Sequence, residues 1–516
     1  MSLSTRAYRD AIHLLNSLQS NAATIAAIKA SGGKMNESAL VEMREYLGRV
    51  GYQPTRLNAL NAIHITGTKG KGSTSAFCDS VLRSLYAAHE PLDKKIKRPL
   101  KVGLYTSPHL VAVRERIRIN GVPLSEELFA KYFFEVWERL EGNTQIANPL
   151  TPVKPVYFRY LTLLAFHAFL SEKVDTSIFE VGIGGAFDST NIIPQPVVAG
   201  VTSLGLDHTH LLGDTIGKVA WNKGGIYKQG VPAFSVQQPE NGEEVLRARA
   251  DEAHASSFVV LPNRPELALI KLGLAGIHQR TNATLSLSLV DSLLKSPSLS
   301  PSSPLYGVSS PSLEGPLDQP TKEGLENTSW PGRCQILQAG QIRTFLDGAH
   351  TTESLEGCGN WFWEEVKERT EGGRRRVLVF NCTNGRSASS LLTALLSQAR
   401  RLSGTSSSVP LFDKVIFSTN TTYASGQSKG DLQSSVEDQT LEIQESLASA
   451  FREIEPSFPP DAIRITSSIQ EAFELVCSET KEQSTENEVD VLVTGSLHLV
   501  GGWMEVAGLV EVGLTV

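Results

Sequence analysis

The sequence predicts an α/β protein with two layered domains, and three observations carry that prediction. Its 516 residues exceed what one hydrophobic core organises, which makes two domains the prior and leaves room for an insertion. Short β-type runs alternate with helical segments along most of the chain, the pattern of a largely parallel sheet covered on both faces. The first such run, Ala62, Ile63 and Ile65, passes through a glycine-rich turn into an amphipathic helix with Phe77, Cys78, Val81, Leu82 and Leu85 on one face. That join makes the N-terminal domain, 1–328, a mostly parallel sheet of the P-loop type. A smaller C-terminal α/β domain of Rossmann-like pattern follows over 329–516.

In chain order, residues 8–47 read as helix, broken at Ser31-Gly32-Gly33. Strands are expected at 101–105, 176–181 and 197–202, and a nearly all-apolar buried helix at 160–170. Residues 295–325 change character, with Ser-Pro at 296–297, 300–301, 303–304 and 310–311. That composition reads as a disordered insertion or linker. Residues 403–408 and 419–440 read as loop insertions. The second domain is expected to hold strands at 377–380, 415–418 and 489–494. A helix carrying Ile469, Ala472, Phe473 and Val476 should begin with a capping box of Ser468 and Glu471.

Bulk properties narrow the function classes. Charged residues make up 20% and apolar residues 41%, ordinary globular material, and the net charge of −7 argues against a nucleic-acid binder. The basic runs at 94–98 and 374–376 read as solvated loop charge. Five scattered cysteines with no C-x-x-C fit reduced thiols and exclude a cysteine zinc site. No apolar run reaches transmembrane length, so no membrane span is expected. Cytosol is the expected compartment, with a mitochondrial form left open through an upstream start.

The polar clusters fall at expected strand ends, where α/β sheets place their sites. In the turn 67–73, Gly67, Gly70 and Gly72 let backbone amides converge on an anion at a helix N-terminus, with Thr68 and Lys69 spanning the loop. Lys71 supplies a full charge for β/γ-phosphates, and Ser73 or Thr74 an oxygen near a magnesium ion. The spacing departs from G-x-x-x-x-G-K-[ST], because Gly72 stands between Lys71 and the hydroxyl. Glu180 ends a strand before Gly182-Ile183-Gly184-Gly185, a position that suits a metal-binding carboxylate or a buried ion pair. A further strand end delivers Asp207, His208 and His210 to the same rim, where a hydrogen-bonded histidine and a ligand are both open readings. Lys223 precedes two glycines at a helix end, and Ser107-Pro108 forms a rigid turn presenting a hydroxyl. In the second domain Arg333 suits a bidentate phosphate clamp and Asp347 an acceptor for a ribose hydroxyl, with a structural turn the other open reading for each.

Together these islands are specific. The chain resembles the folylpolyglutamate synthase family, ATP-dependent amide ligases of the superfamily that also contains the muramyl ligases. The likeness rests on YRDAIHLLNSLQSN (8–21), IHITGTKGKGS (63–73), TSPHL (106–110), ERIRING (115–121) and YFRYLTLLAFHAF (157–169). It continues through 180–193, 207–213, WNKGGIYKQGVPAF (221–234), HQRTNA (278–283), 331–333 and 347–350. The resemblance implies that Gly67, Thr68, Lys69, Gly70, Lys71, Gly72 and Ser73 hold the ATP phosphates. It makes Ser107, Glu180 and His208 magnesium ligands, and it gives Asn282, Arg333 and Asp347 contacts to the nucleotide. Lys71, His208 and Lys223 become the catalytic set, Lys223 matching a lysine that carries a carbamate in this superfamily. A monovalent cation such as K+ belongs to the same expectation.

The implied reaction phosphorylates the γ-carboxylate of tetrahydrofolate or a folylpolyglutamate, after which L-glutamate attacks the acyl phosphate. The implied protein is a monomer. Dihydrofolate synthase, using dihydropteroate by the same chemistry, is the nearest alternative. A P-loop kinase or nucleotide switch is the rival from another class.

Overall fold

The computed structural model describes residues 7–19, 38–89, 98–147, 151–367, 374–382, 387–403, 410–425, 440–481 and 488–515. The expected helix break at 31–33, the basic run over 94–97, and most of the insertions at 403–408 and 419–440 lie outside them. The chain divides into two compact units. The first comprises Met1–His109, Arg114–Gly273 and His278–Thr328; the second comprises Ser329–Val516 with Leu110–Val113 and Leu274–Ile277. Two four-residue segments that precede 328 therefore group with the C-terminal residues, a discontinuity the sequence reading lacked.

The first unit is built on strands β1 (Ala62–Thr66), β2 (Val102–Tyr105), β3 (Ile117–Ile119), β4 (Val122–Pro123), β5 (Thr176–Glu180), β6 (Val198–Val201), β7 (Pro232–Val236) and β8 (Ser257–Leu261). Their order is β4-β3-β2-β5-β1-β6-β7-β8. Pairing is parallel from β2 across to β8 and antiparallel at β2/β3 and β3/β4. All residues of β1, β2, β5 and β6 are buried, as strands covered on both faces must be. Helix Tyr157–Glu172 supplies one cover, with ten consecutive buried residues from Tyr160 to Phe169. Sequence reading missed β7 and β8; β8 is partly exposed at the sheet's edge, and β7 lies between it and β6.

Helix Lys71–Ala88 buries Phe77, Cys78, Val81, Leu82 and Leu85, the expected face, and also every residue from Ser73 to Ser80. The extra burial comes from neighbours on its other side. Cys78 Sγ lies 3.8 Å from the Ser286 carbonyl of helix His278–Leu294. Ser80 and Ser84 donate to the Gly324 and Pro320 carbonyls of helix Gln319–Glu326, each at 2.7 Å. Gly324 makes that approach possible, since a Cβ there would stand 2.8 Å from Val81 Cα.

This docking overturns the expectation that 295–325 is disordered. Leu299, Leu305, Val308 and Leu325 are buried, and Asp318 caps the helix by accepting from Thr321 N. The serine- and proline-rich average concealed these spaced apolar anchors, each contributing about 1.5–3 kcal/mol when fully buried. Prolines also lower the entropy lost on ordering.

The second unit carries β9 (Gln335–Ala339), β10 (Ile342–Asp347), β11 (Arg375–Phe380), β12 (Lys414–Ser418), β13 (Ile463–Thr466) and β14 (Val489–Thr494). Their order is β13-β12-β11-β14-β10-β9, parallel except at β9/β10. A core of Leu346, Val377, Val379, Val491, Val493 and Trp503 lies on one face and a second, aromatic-rich core around Phe345, Phe362 and Phe417 on the other. Arg343 and Asp490 pair bidentately across β10 and β14 at 2.8 and 2.7 Å. Ser468 accepts from Glu471 N at 3.2 Å, but the Glu471 carboxylate reaches back to Ser467 N rather than to Ser468. The expected capping box is thus shifted by one residue. Among the described residues no helix is long and apolar enough to cross a membrane.

Candidate active site

The carboxyl end of β1 runs into a turn that only glycine can form. Gly67 has φ +149°, and a Cβ there would stand 1.7 Å from Thr202 Oγ1 at the end of β6. Gly70 has φ +92° and caps helix Lys71–Ala88; its Cβ would lie 2.2 Å from Asn282 Oδ1. The turn is therefore pressed between β6 and helix His278–Leu294. Thr68 N and Lys69 N donate to the Ser203 carbonyl at 3.0 and 3.2 Å, so these two amides serve the loop itself. The first amides of the helix, at Lys71, Gly72 and Ser73, have no intrahelical acceptors and carry the positive end of the dipole. No acidic side chain occupies that first turn.

Asn282 Nδ2 donates to Gln279 Oε1 at 2.8 Å, and Gln279 Nε2 donates to Ser73 Oγ at 3.3 Å. Asn282 thus lies against the loop. Gln279 was missed, although its place three residues before Asn282 on one helix face was visible. Thr202 was missed as well, because its approach to Gly67 is a long-range contact with no local signature. Its hydroxyl, like those of Thr74 and Ser75, is buried without a hydrogen-bond partner.

Two lysines converge on one carbonyl. Lys71 Nζ donates to Gly67 O at 3.0 Å and Thr68 O at 3.4 Å, and Lys223 Nζ donates to Gly67 O at 2.7 Å. Lys223 is 3% exposed, and its pKa is pushed down to about 7, first by burial and next by the Lys71 ammonium. The loop after β5 fixes its position. Ala186 N donates to the Asn222 carbonyl at 2.8 Å, and a Cβ on Gly185 would stand 2.8 Å from Lys223 O. Asp188 holds that loop by accepting from Gly182 N, Ile183 N and Thr190 N. Thr66 Oγ1 ties it to β1 through Gly184 O at 2.6 Å.

Glu180 ends β5 and is buried, and one of its carboxylate oxygens accepts from Ser107 N at 3.1 Å. Ser107 and Glu180 are therefore neighbours across the ends of β2 and β5. His208 lies beyond the end of β6 in the left-handed region, φ +48°, and its N–H donates to Asp207 Oδ1 at 2.8 Å. Partial burial lowers its pKa, with Lys71 and Lys223 adding to the effect and Asp207 opposing it. His208 shares its electrostatic surroundings with both lysines, although it is exposed, as His210 is. Among the described residues no group of three His, Cys, Asp or Glu is gathered as a metal cage.

In the second unit, Asp347 stands at the carboxyl end of β10 and is already engaged. Its oxygens accept from Cys334 N at 2.7 Å and Ala349 N at 2.8 Å. Arg333 Nη1 donates to Gly332 O at 3.2 Å, and a Cβ on Gly348 would meet that same nitrogen at 2.6 Å. His350 Nδ1 lies 2.7 Å from Gly348 O. Arg333 and Asp347 therefore share one rim of their own unit.

Comparison with known proteins follows the same lines. The family described as "Dihydrofolate synthetase, C-terminal domain" matches residues 333–506. The chain is 43% identical to folylpolyglutamate synthase of Saccharomyces cerevisiae (strain ATCC 204508 / S288c), covering 98% of this chain and 88% of the yeast protein. Among solved structures, Mycobacterium tuberculosis folylpolyglutamate synthase complexed with ADP and AMPPCP aligns with a TM-score of 0.62 at 24% identity, over 91% of this chain and 95% of that one. The bifunctional folylpolyglutamate synthase/dihydrofolate synthase of Yersinia pestis, complexed with AMPPNP and Mn ion, aligns at 0.64 and 20% identity, over 99% and 100% of the two chains. The two structural likenesses establish the fold, and the yeast likeness goes further. On its strength, the chain belongs to the folylpolyglutamate synthase family.

Proposed function

We propose that the loop from Gly67 to Ser73 binds Mg·ATP and that the rim around it phosphorylates the γ-carboxylate of tetrahydrofolate or a short folylpolyglutamate. The family is one of ATP-dependent acid–amino-acid ligases, and glutamate addition to folate is its reaction. The observation that carries the assignment of the site is the convergence of Lys71 and Lys223 on the Gly67 carbonyl. Two amino groups so placed, one of which loses its proton near neutrality beside the other's charge, favour an anion between or beside them.

A carboxylate is a poor electrophile, which is why its oxygen is first phosphorylated. The γ-phosphoryl group passes from ATP to the folate γ-carboxylate, giving an acyl phosphate and ADP. The α-amine of L-glutamate then attacks the acyl carbon, the C–O bond to phosphate breaks, and the amine sheds a proton. Lys71 and the first amides of its helix offset charge on the transferring group. The oxygen donors of half-buried Ser107 and buried Glu180 suit magnesium, with His208 as a third ligand, and the ion would supply further charge neutralisation when bound. The Mycobacterium and Yersinia proteins, complexed with adenine nucleotides and in one case Mn ion, support a nucleotide and a divalent ion here too. Lys223, held near 7, exists largely as a neutral amine at slightly alkaline pH, the form that takes up CO2 as a carbamate. Within the second unit, Arg333 is suited to a phosphate and Asp347 to a ribose hydroxyl. Each added glutamate raises the product's negative charge, a physical reason for its retention within a compartment.

Incorporation of radiolabelled glutamate, measured with tetrahydrofolate and with dihydropteroate as acceptor, tests the reading. Incorporation onto tetrahydrofolate with phosphate release that needs both folate and glutamate is expected. Exclusive use of dihydropteroate would reassign the chain as a dihydrofolate synthase.

A further inference from the structure

Opposite the active-site rim, at the amino ends of the strands, lies a cavity of about 240 Å³ between the residues that precede β1 and β5 and the Ser-Pro segment. Arg56, Arg98 and Lys173 line it together with Asp175, Ser300 and Ser302. The charge does not balance. Arg98 forms a bidentate pair with Asp175, which also accepts from Lys101 N at 2.9 Å. Arg56 and Lys173, both exposed, make no ion pair among the described residues, so the rim of the cavity presents two cations that no carboxylate pairs.

The facing wall offers a hydroxyl that chemistry can turn into their partner. Of the four serines that precede proline in this segment, Ser303 is buried, Ser296 and Ser310 are half-buried, and Ser300 alone is exposed. Ser300 begins a tight turn, its carbonyl accepting from Ser303 N at 2.8 Å and its Oγ lying 2.8 Å from Ser302 Oγ. We infer that Ser300 is a phosphorylation site for a proline-directed kinase and that its phosphate seats between Arg56 and Lys173. In the transfer, Ser300 Oγ attacks the γ-phosphorus of a nucleoside triphosphate, the bond to the diphosphate breaks, and the hydroxyl proton passes to solvent. The product carries a charge of about −1.5 to −2 and three acceptor oxygens, which Arg and Lys side chains bind well. Because helix Gln319–Glu326 at the far end of the segment docks on the phosphate-loop helix, the modification fastens a strap of the first unit without entering the active-site rim.

The test uses the full-length protein, ATP and a purified proline-directed kinase, with site mapping by mass spectrometry and 31P NMR titration. Phosphate is expected on Ser300. Its second ionisation should fall by about half a pH unit or more relative to the same phosphoprotein in urea, the direction nearby cations impose. Arg56→Gln and Lys173→Gln, singly and together, should diminish and then abolish that shift while glutamate incorporation stays at the unsubstituted level. Phosphate found only on Ser296 or Ser310, or a Ser300 phosphate that titrates alike in native and urea-unfolded protein, overturns the inference. So does binding of inorganic phosphate in the cavity of a protein whose Ser300 the kinase leaves untouched.

Discussion

The two units end their central strands in contrasting ways. At the end of β1 the first unit leaves charge and polar groups uncompensated. Lys71 and Lys223 share one carbonyl, the hydroxyls of Thr74, Ser75 and Thr202 are buried without partners, and the helix dipole has no acidic residue against it. At the end of β10 the second unit closes its own account, with Asp347 accepting from two backbone amides. Buried polar groups normally find partners, so a cluster of exceptions marks where a ligand completes the structure. A satisfied carboxylate, by contrast, is held rigid and contributes geometry more than driving force. The first rim carries the features of an anion site, whereas the second is satisfied within its own unit.

The sharpest way to break this contrast is Lys71→Ala. Removing a preorganised cation from the transferring phosphoryl group should lower kcat by on the order of 10²–10³-fold. The fold should persist, since the side chain is only half-buried and bonds its own loop. Turnover near the original rate in a well-folded variant would remove the loop from the mechanism.

Backbone strain separates the units next. Gly67→Ala combines a φ of +149° with a Cβ 1.7 Å from Thr202 Oγ1 and 3.0 Å from Thr202 N, so no side-chain rotation relieves it. A loss of about 1–3 kcal/mol from the backbone alone is expected, plus the clash. Gly340→Ala, in the β9–β10 turn at φ +58° with nothing within 4 Å, should cost only about 1 kcal/mol. Denaturant unfolding of the two variants gives the comparison, and equal losses would mean that the turn after β1 is not tightly packed. Glu180→Gln keeps the shape but removes a charge from the proposed metal site. The magnesium concentration for half-maximal activity should rise on the order of 10–100-fold. An unchanged magnesium titration excludes Glu180 as a ligand.

How much of this was legible follows from the range of each interaction. The strand, the glycine turn and the helix from Lys71 form one contiguous pattern, so chain order alone disclosed them. Glu180 was found for the same reason, as the last residue of an apolar run. Thr202 and Gln279 reach the loop only through tertiary packing, and no residue spacing announces which hydroxyl will face Gly67. The left-handed backbone at His208 was equally hidden, since histidine adopts that region only under constraint from its surroundings. The segment 295–325 was misjudged because composition averages over the few apolar anchors that decide whether a chain orders. Strand β8 is half-exposed at the sheet's edge and β7 opens with a proline, so neither has the fully buried character of β5 and β6.

The last prediction isolates the buried lysine. Lys223 titrates near 7 in the folded protein against an ordinary value of 10.5. Between those values the unfolded chain holds a proton that the native state has released, so stability must rise with pH there. Below the folded value both states are charged and the cost of burying the ammonium is felt in full; above 10.5 both are neutral and it is gone. Lys223→Met has no titrating group, so the unfolding free energy of the unsubstituted protein minus that of the variant should climb by up to about 1.4 kcal/mol per pH unit above neutrality. Denaturant melts in CO2-depleted buffer measure this climb, and a flat difference would mean the ammonium stays charged beside Lys71. Repeating the melts with bicarbonate sharpens the contrast between the units. A carbamate that forms only on the native amine adds stability by mass action, and that gain should be confined to the first unit and absent from the Lys223→Met protein.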